Sequence, residues 1–336
     1  MKPPHFWYHE TVGFPGRLAA AALRPLAAIY GMLSARRLQN SKPVRVDAAV
    51  ICVGNLTLGG TGKTPVTMRL LEIANDNAIN AQALSRGYGG NVKGPLCVDL
   101  SRHTAKDVGD EPLMIAQAAP VWICRNRVAS AEAAILHRAE LVIMDDGHQN
   151  PQLHKDLSIV VVDAEAGWGN GRVFPAGPLR ESVAAGLARA DAIILVLAGP
   201  DHTPDFHSLG LDELEIPVLT GWLEPAAAPP SGRLLAFAGI GRPEKFFHSL
   251  TAAGGDIVAT RSFPDHHDYS RADLRRLRAL AEREGARLVT TEKDSVRIPA
   301  AERDGISAWP VRMAFTEPAR IAALVQQALD AAAARR

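Results

Sequence analysis

Residues 48–65 read AAVICVGNLTLGGTGKTP. The apolar run from Ala48 to Val53, ending at Gly54, predicts a buried strand. Residues 59–65, GGTGKTP, form a Gly-rich loop, and Val66 to Ile73 then follow helical spacing. Strand, Gly-rich loop and helix in this order suit a phosphate group. Phosphate oxygens need many donors at close range. Gly59, Gly60 and Gly62, with Thr61 among them, let backbone N–H groups approach, and the helix N-terminus adds a favourable dipole. Lys63 is spaced to reach the β- and γ-phosphates of a nucleotide, and Thr64 to set its hydroxyl on Mg²⁺. Pro65 fits the first helical turn, where its missing N–H costs little. The strict GxxxxGK[ST] pattern is not met, because Thr57 stands at the first glycine position. A lone GKT is compatible with a plain turn; the flanking strand and helix favour phosphate binding.

Outward from this loop the pattern repeats. Strands are expected at 81–84, 121–124, 141–144, 157–162 and 192–197, with helices at 113–118 and 127–136 between them. Such alternation implies an α/β fold, a P-loop NTPase-like, mostly parallel sheet with helices on both faces. Residues 200–232 are rich in Pro, Gly and Asp, and PAAAPP at 225–230 reads as a stiff linker. Beyond it, strands at 234–238, 257–260 and 288–290 and helices at 243–253, 270–284 and 318–333 predict a second, smaller α/β domain. The expected division is therefore an N-terminal helical segment at 1–40, a P-loop domain at 41–199, a linker at 200–232 and a C-terminal α/β domain at 233–336.

The 336 residues exceed the usual size of one core. Lys and Arg number 37 against 36 Asp and Glu, a balance that does not point to nucleic acid. The three cysteines, Cys52, Cys97 and Cys124, form no CxxC pair, which argues against a disulfide scaffold and a zinc site. No apolar run is long enough to span a bilayer. Residues 18–33, LAAAALRPLAAIYGML, are interrupted by Arg24 and Pro25 and followed by Arg36 and Arg37, which also weakens a signal-peptide reading. Two readings stay open: a helix packed on the core, or a helix lying in a membrane interface with Phe6, Trp7 and Tyr8 as aromatic anchors.

Several polar residues follow predicted strands. Leu141 to Met144 run into Asp145, Asp146 and Gly147, the arrangement of a Walker B element whose Asp holds the Mg²⁺ shell beside the phosphate loop. Asp110 and Glu111 precede a helix, either as caps or as a base that takes a proton from an acceptor hydroxyl. Arg180 and Glu181 lie in FPAGPLRE, where an Arg suits transition-state charge. Asp265, His266 and His267 form a dense group suited to a proton relay or a substrate hydrogen bond.

In this order the motifs resemble the tetraacyldisaccharide 4'-kinase family. The matching segments are VGNLTLGGTGKTP from Val53, SRGYGG from Ser85, VGDEP from Val108, MDDGHQ from Met144, FPAGPLRE from Phe174, FPDHHDY from Phe263 and TTEKDSVR from Thr290. The family shares the Thr at 57. The resemblance implies transfer of the ATP γ-phosphate to the 4'-hydroxyl of a tetraacylated disaccharide 1-phosphate, in lipid A biosynthesis. It implies two α/β domains with the site between them, and work at the cytoplasmic face of the bacterial inner membrane as a peripheral or monotopic protein. It sets Lys63 on the phosphates, Thr64, Asp145 and Asp146 at Mg²⁺, and Gln149 at the same site. Asp110 becomes the general base, paired with His266. Arg86, Tyr88, Arg180 and Glu181 line the nucleotide and transition-state region. His148 stands where the family commonly has Phe, and reads as packing. The alternatives are a P-loop kinase of a soluble metabolite and a nucleotide-switch NTPase acting on a protein partner; Leu58 ahead of Gly59 is not the Lys that many such switches carry there.

Overall fold

The computed structural model describes residues 4–8 and 14–335. Two helices, α1 (Phe14–Ala22) and α2 (Arg24–Gln39), precede the first strand, β1 (Ala49–Gly54). The phosphate loop leads into α3 (Lys63–Asp76). Then come β2 (Ala81–Ser85), β3 (Leu96–Cys97), α4 (Ala105–Val108), α5 (Asp110–Ile115), β4 (Val121–Ile123), α6 (Arg127–Leu136), β5 (Leu141–Asp145) and β6 (Leu157–Asp163). After α7 (Val183–Leu187) follow β7 (Ala192–Leu197) and β8 (Val218–Pro225). A second unit comprises β9 (Arg233–Ala238), α8 (Pro243–Ala252), β10 (Asp256–Ser262), α9 (Arg271–Glu284), β11 (Arg287–Thr291), α10 (Glu292–Ser295) and β12 (Ile306–Trp309). The chain closes with β13 (Val311–Phe315) and α11 (Pro318–Ala333).

The large sheet has the order β13-β8-β7-β6-β1-β5-β2-β4-β3. Strands β8 through β4 in that order pair in parallel, and the two edges are antiparallel. Alternation along β1 explains why it is central. Ala49, Ile51 and Val53 face the core under α3 and α11, while Val50 and Cys52 face the core under α6. A strand buried on both sides must be apolar throughout, as this one is. Strand β5 lies between β1 and β2, with Val53 level with Asp145. That register sets the carboxylate at the end of β5 beside the loop that leaves β1.

The smaller sheet, β10-β9-β11-β12, is parallel throughout. Helices α8 and α9 cover its opposite faces. Leu234 and Ala236 pack with Phe246 and Leu250, and Leu235 and Phe237 with Leu274 and Leu277. Ser270 caps α9 reciprocally with Asp273, and the left-handed Gly285 ends the helix.

The expected boundaries need correction. Residues 200–232 are not wholly linker, because β8 joins the large sheet. Residues 233–336 are not one domain either, because β13 pairs antiparallel with β8 and α11 packs on the large core. The small unit thus ends near Trp309, and the chain crosses between the units twice, after Pro225 and at Pro310. Local sequence could not reveal this: the edge strand β13 pairs with β8 only after the chain has passed through the whole second unit.

The N-terminal segment departs from expectation too. It forms two helices meeting at Leu23, where Pro25 enters the first turn of α2. Apolar residues ring the middle of α2, with arginines at its ends, so it is not amphipathic in the facial sense. Leu26, Ile29, Met32 and Leu33 are exposed. A groove of about 770 Å³ separates α2 from residues 172–189. The aromatic anchors are not exposed with them. Trp7 is buried, donates from Nε1 to Pro175 O (3.3 Å) and meets Phe174 edge-on. Tyr8 donates to Leu58 O in the phosphate loop (2.8 Å). Among the described residues no helix is long and apolar enough to cross a membrane.

Candidate active site

The phosphate loop starts at Asn55 and delivers Lys63 and Thr64 to the first turn of α3. Gly62 caps this helix in the left-handed region, at φ 89°, a conformation that favours glycine. Thr57 takes the first glycine position because the backbone there is extended: it bridges Leu179 in antiparallel fashion. The flanking hydrogen bonds, Leu58 N–H to Pro178 O and Arg180 N–H to Leu56 O (both 2.7 Å), zip FPAGPLRE onto the loop. The Thr61 hydroxyl and Asn55 Oδ1 are buried without protein partners among the described residues, as expected of a loop built around a ligand.

Asp145 is buried at the end of β5 and accepts from the hydroxyls of Thr64 (3.3 Å) and Thr67 (3.1 Å). Burial, with Glu111 nearby, lifts its carboxyl to about 7 in spite of Lys63. Asp146 sits at φ 51°, which turns it out of line with the strand. Its Oδ1 is 2.8 Å from Arg180 Nη1 and 3.7 Å from Lys63 Nζ. Burial would raise it as well, but Lys63 and Arg180 prevail and hold it at about 2. The two neighbours are thus opposites: Asp146 is ion-paired with Lys63 and Arg180, and Asp145 has no ion pair among the described residues. A buried carboxylate short of positive charge, with a hydroxyl beside it, fits Mg²⁺, which takes one or two carboxylates and completes its shell with water and substrate phosphate.

Arg180 is held at three points. Its Nη1 donates to Asp146 and to Gln149 Oε1 (3.3 Å), and its Nε donates to Thr57 O (3.2 Å). Gln149 in turn donates to Asn55 O (2.9 Å) and Glu181 Oε1 (3.0 Å). Glu181 departs from its expected place. Its buried carboxylate accepts from Arg189 through both oxygens (2.8 Å each) and from Gln149, so it braces Gln149 and does not itself face the phosphate loop. Arg86 and Tyr88 follow β2 at the same end of the sheet, exposed, with the guanidinium 5.8 Å from the ring centroid. His148 is a packing residue. Its two ring nitrogens meet Ser158 Oγ and Gly186 O (3.0 Å each), and burial holds its pKa down at about 3.

The second unit completes the arrangement. Asp110 begins α5 and is buried. Its Oδ2 lies 3.0 Å from His266 Nδ1, 3.0 Å from Arg297 Nε and 3.9 Å from Lys293 Nζ. Burial would raise this carboxyl; the His266 hydrogen bond and the charges of Lys293 and Arg297 outweigh that and hold it far below the usual range. His266 occupies φ 56° at the tip of its loop. His267 points elsewhere, stacked on Phe263 and bonded to Asp273 (3.3 Å). A second contact across the cleft pairs Arg242 with Asp163 and Glu165, and Lys245 with Glu165. Lys293, Asp294 and Arg297 were visible as part of TTEKDSVR but carried no role, because nothing local says that a charged residue will be buried against another domain.

A nucleotide switch needs a phosphate loop and a metal carboxylate. It does not need a second domain that brings a histidine onto a carboxylate next to that loop. This combination serves transfer of a phosphoryl group to an acceptor, and the fold and site together define a P-loop kinase. A family model described as Tetraacyldisaccharide-1-P 4'-kinase matches residues 19–330. The chain belongs to this tetraacyldisaccharide 4'-kinase family. It is 51% identical to the tetraacyldisaccharide 4'-kinase of Maricaulis maris, over 98% of this chain and 97% of that one. The corresponding proteins of Rhodospirillum centenum and Caulobacter vibrioides are 51% and 48% identical, each over more than nine-tenths of both chains. A crystal structure of LpxK from Aquifex aeolicus in complex with ATP superposes with a TM-score of 0.74 at 26% identity, covering 93% of this chain and 99% of that one.

Proposed function

We propose that this kinase transfers the γ-phosphate of ATP to the 4'-hydroxyl of a tetraacyldisaccharide 1-phosphate through the following roles. Backbone N–H groups of residues 59–62 and the Lys63 ammonium bind the β- and γ-phosphates. Asp145 and Thr64 hold Mg²⁺, which neutralises developing phosphate charge when bound. Arg180, fixed by Asp146, Gln149 and Thr57, adds positive charge at the transferring group. Asp110 and His266 act as a pair that accepts the hydroxyl proton; Arg86 and Tyr88 flank the nucleotide. Phosphoryl transfer depends more on alignment and charge than on covalent chemistry, so a site assembled from two domains suits it. Closure of the domains also excludes water, which would otherwise take the phosphoryl group.

The observation that carries this reading is the 3.0 Å contact between Asp110 and His266 across the domain boundary. The acceptor is acylated, and the exposed apolar turns of α2 with Arg36 and Arg37 at its end suit a helix lying in an anionic membrane interface. We therefore assign the protein to the cytoplasmic face of the inner membrane, as a peripheral or monotopic enzyme. The test is transfer of labelled γ-phosphate from ATP to tetraacyldisaccharide 1-phosphate in detergent. A bisphosphate product that requires Mg²⁺ and disappears with Lys63→Ala is expected. ATP hydrolysis without lipid product would overturn the acceptor assignment.

A further inference from the structure

Arg297 is a buried guanidinium anchored in the small domain and reaching into the large one. Its Nη1 donates to Gly239 O (2.8 Å) and to Asp294 Oδ1 (3.1 Å), while its Nε donates to Asp110 Oδ2 (3.0 Å). Asp294 is itself fully buried and fixed, accepting from Gly239 N–H (2.9 Å), Tyr269 Oη (2.8 Å) and Thr291 Oγ1 (2.6 Å). The guanidinium therefore has little freedom of its own. Its Nη2 is buried with no protein partner among the described residues.

Asp110 is used asymmetrically. Oδ2 meets Arg297, His266 and, at longer range, Lys293; among the described residues Oδ1 accepts only the N–H of Glu111 (3.1 Å). The charged groups around the carboxylate are thus His266 from its loop, Lys293 from α10, Arg297 beyond α10, and Glu111 on its own helix, the last 3.9 Å from Lys293. His266, Lys293 and Arg297 all come from the small domain. We infer that Arg297 is a positioning residue for phosphoryl transfer: it locks the Asp110 carboxylate in one orientation, with His266 on the same oxygen, only when the domains are closed. This inference rests on the reading of Asp110 and His266 as the proton-accepting pair. It adds that the pair is not preformed on either domain and that a third residue sets its geometry. The depressed pKa of Asp110 agrees, since Arg297 is one of its causes.

The experiment compares Arg297→Ala and Arg297→Lys with the unaltered full chain in the detergent transfer assay, with Asp110→Asn in parallel. Thermal unfolding and ATP-induced stabilisation check folding. Arg297→Ala is expected to lower kcat about 100-fold, the scale of a small misplacement at a reacting centre, with KM for ATP changed less than about threefold. The acid limb of its kcat/KM profile is expected to move to higher pH, because Asp110 loses a cation, and added guanidinium is expected to restore part of kcat. Arg297→Lys keeps the charge and the fold but loses the two-point geometry, and is expected to fall between. Unchanged kcat in both variants, or a loss that follows unfolding alone with the acid limb unmoved, would overturn the inference. If Asp110→Asn keeps full activity, the proton-accepting reading fails first. If Asp110→Asn is inactive and Arg297→Ala is not, only the role of Arg297 fails.

Discussion

Oδ2 of Asp110 and Nδ1 of His266 lie 3.0 Å apart although 156 residues separate them, one at the start of α5 beside the large sheet and the other in the loop between β10 and α9 of the small unit. Closing a loop of that length is entropically costly and needs the rest of both domains to offset it. The contact bridges the two units, and its loss is expected to register in kcat more than in nucleotide binding. Asp110→Asn and His266→Ala are expected to lower kcat by about 10²–10⁴-fold, the range of general acid–base catalysis, while ATP still raises the melting temperature. Steady-state kinetics with thermal shift decide the matter.

Asp145 yields a prediction of opposite sign for stability and activity. Its carboxyl ionises near 3.8 when unfolded and near 7 in the nucleotide-free fold. Between these values the folded chain keeps a proton that the unfolded chain has released, so stability contributed by this group falls as pH rises from about 4 to 7. Asp145→Asn is neutral throughout and is expected to melt higher than the parent at pH 8 without nucleotide. Each 1 kcal/mol regained corresponds to roughly 2–4 °C in a domain of this size. Transfer is expected to be lost, together with stabilisation by MgATP over ATP alone. A lower melting temperature at pH 8 would show that the ionised carboxylate is already well paired.

His148 should behave as a structural residue. Burial, with Lys155 and Arg189 nearby, holds its pKa at about 3 against 6.5 for the free ring. From pH 6.5 down to about 3 the unfolded chain gains a proton that the folded chain refuses, so this group makes stability fall with acid. His148→Phe removes that dependence. It also leaves Ser158 Oγ and Gly186 O without their ring partner, at a cost of about 1–3 kcal/mol near neutral pH. The expected result is a variant that keeps its kcat, is less stable at pH 7.5, and closes the gap towards pH 4. Denaturant melts at the two pH values measure it.

The exposed turns of α2 can be tested without disturbing the phosphate loop. Deleting the N-terminus would also remove Tyr8 from Leu58. Substituting Leu26, Ile29 and Leu33 together by Ser changes only exposed side chains. Binding to vesicles of phosphatidylglycerol and phosphatidylethanolamine is expected to fall by about tenfold or more, given the apolar area removed, with kcat on detergent-dispersed acceptor unchanged. Equal sedimentation of variant and parent with vesicles would sink the membrane reading.

Gly109 precedes Asp110 at φ 90°, and a Cβ there would stand 2.4 Å from Tyr88 O. Both the backbone region and the contact exclude a side chain. Gly109→Ala is expected to destabilise by about 1–3 kcal/mol and to cost activity beyond that, because α5 and its first residue must shift. Activity measured well below the melting temperature separates the two effects.

The sequence alone determined the parts whose information is local. The strand, Gly-rich loop and helix around Lys63 were legible because apolar runs, glycines and a helix start leave their mark within a few residues. The Asp pair ending β5 was legible for the same reason, as were the alternation of strands and helices and the cap of α9. Motif order carried the family. What only the tertiary structure decided depends on contacts between distant segments. Strand β8 joined β7 and strand β13 joined β8 across distant segments, so the domain boundary read from Pro and Gly content was misplaced. Trp7 and Tyr8 turned inward because Pro175 O and Leu58 O awaited their polar ends. Glu181 faced Arg189, and His266 rather than His267 met Asp110, because side-chain direction follows from backbone geometry that adjacent letters do not encode. Arg297 was silent in the sequence for the most physical reason: a buried charge is tolerable only against its partner, and that partner lies 187 residues away.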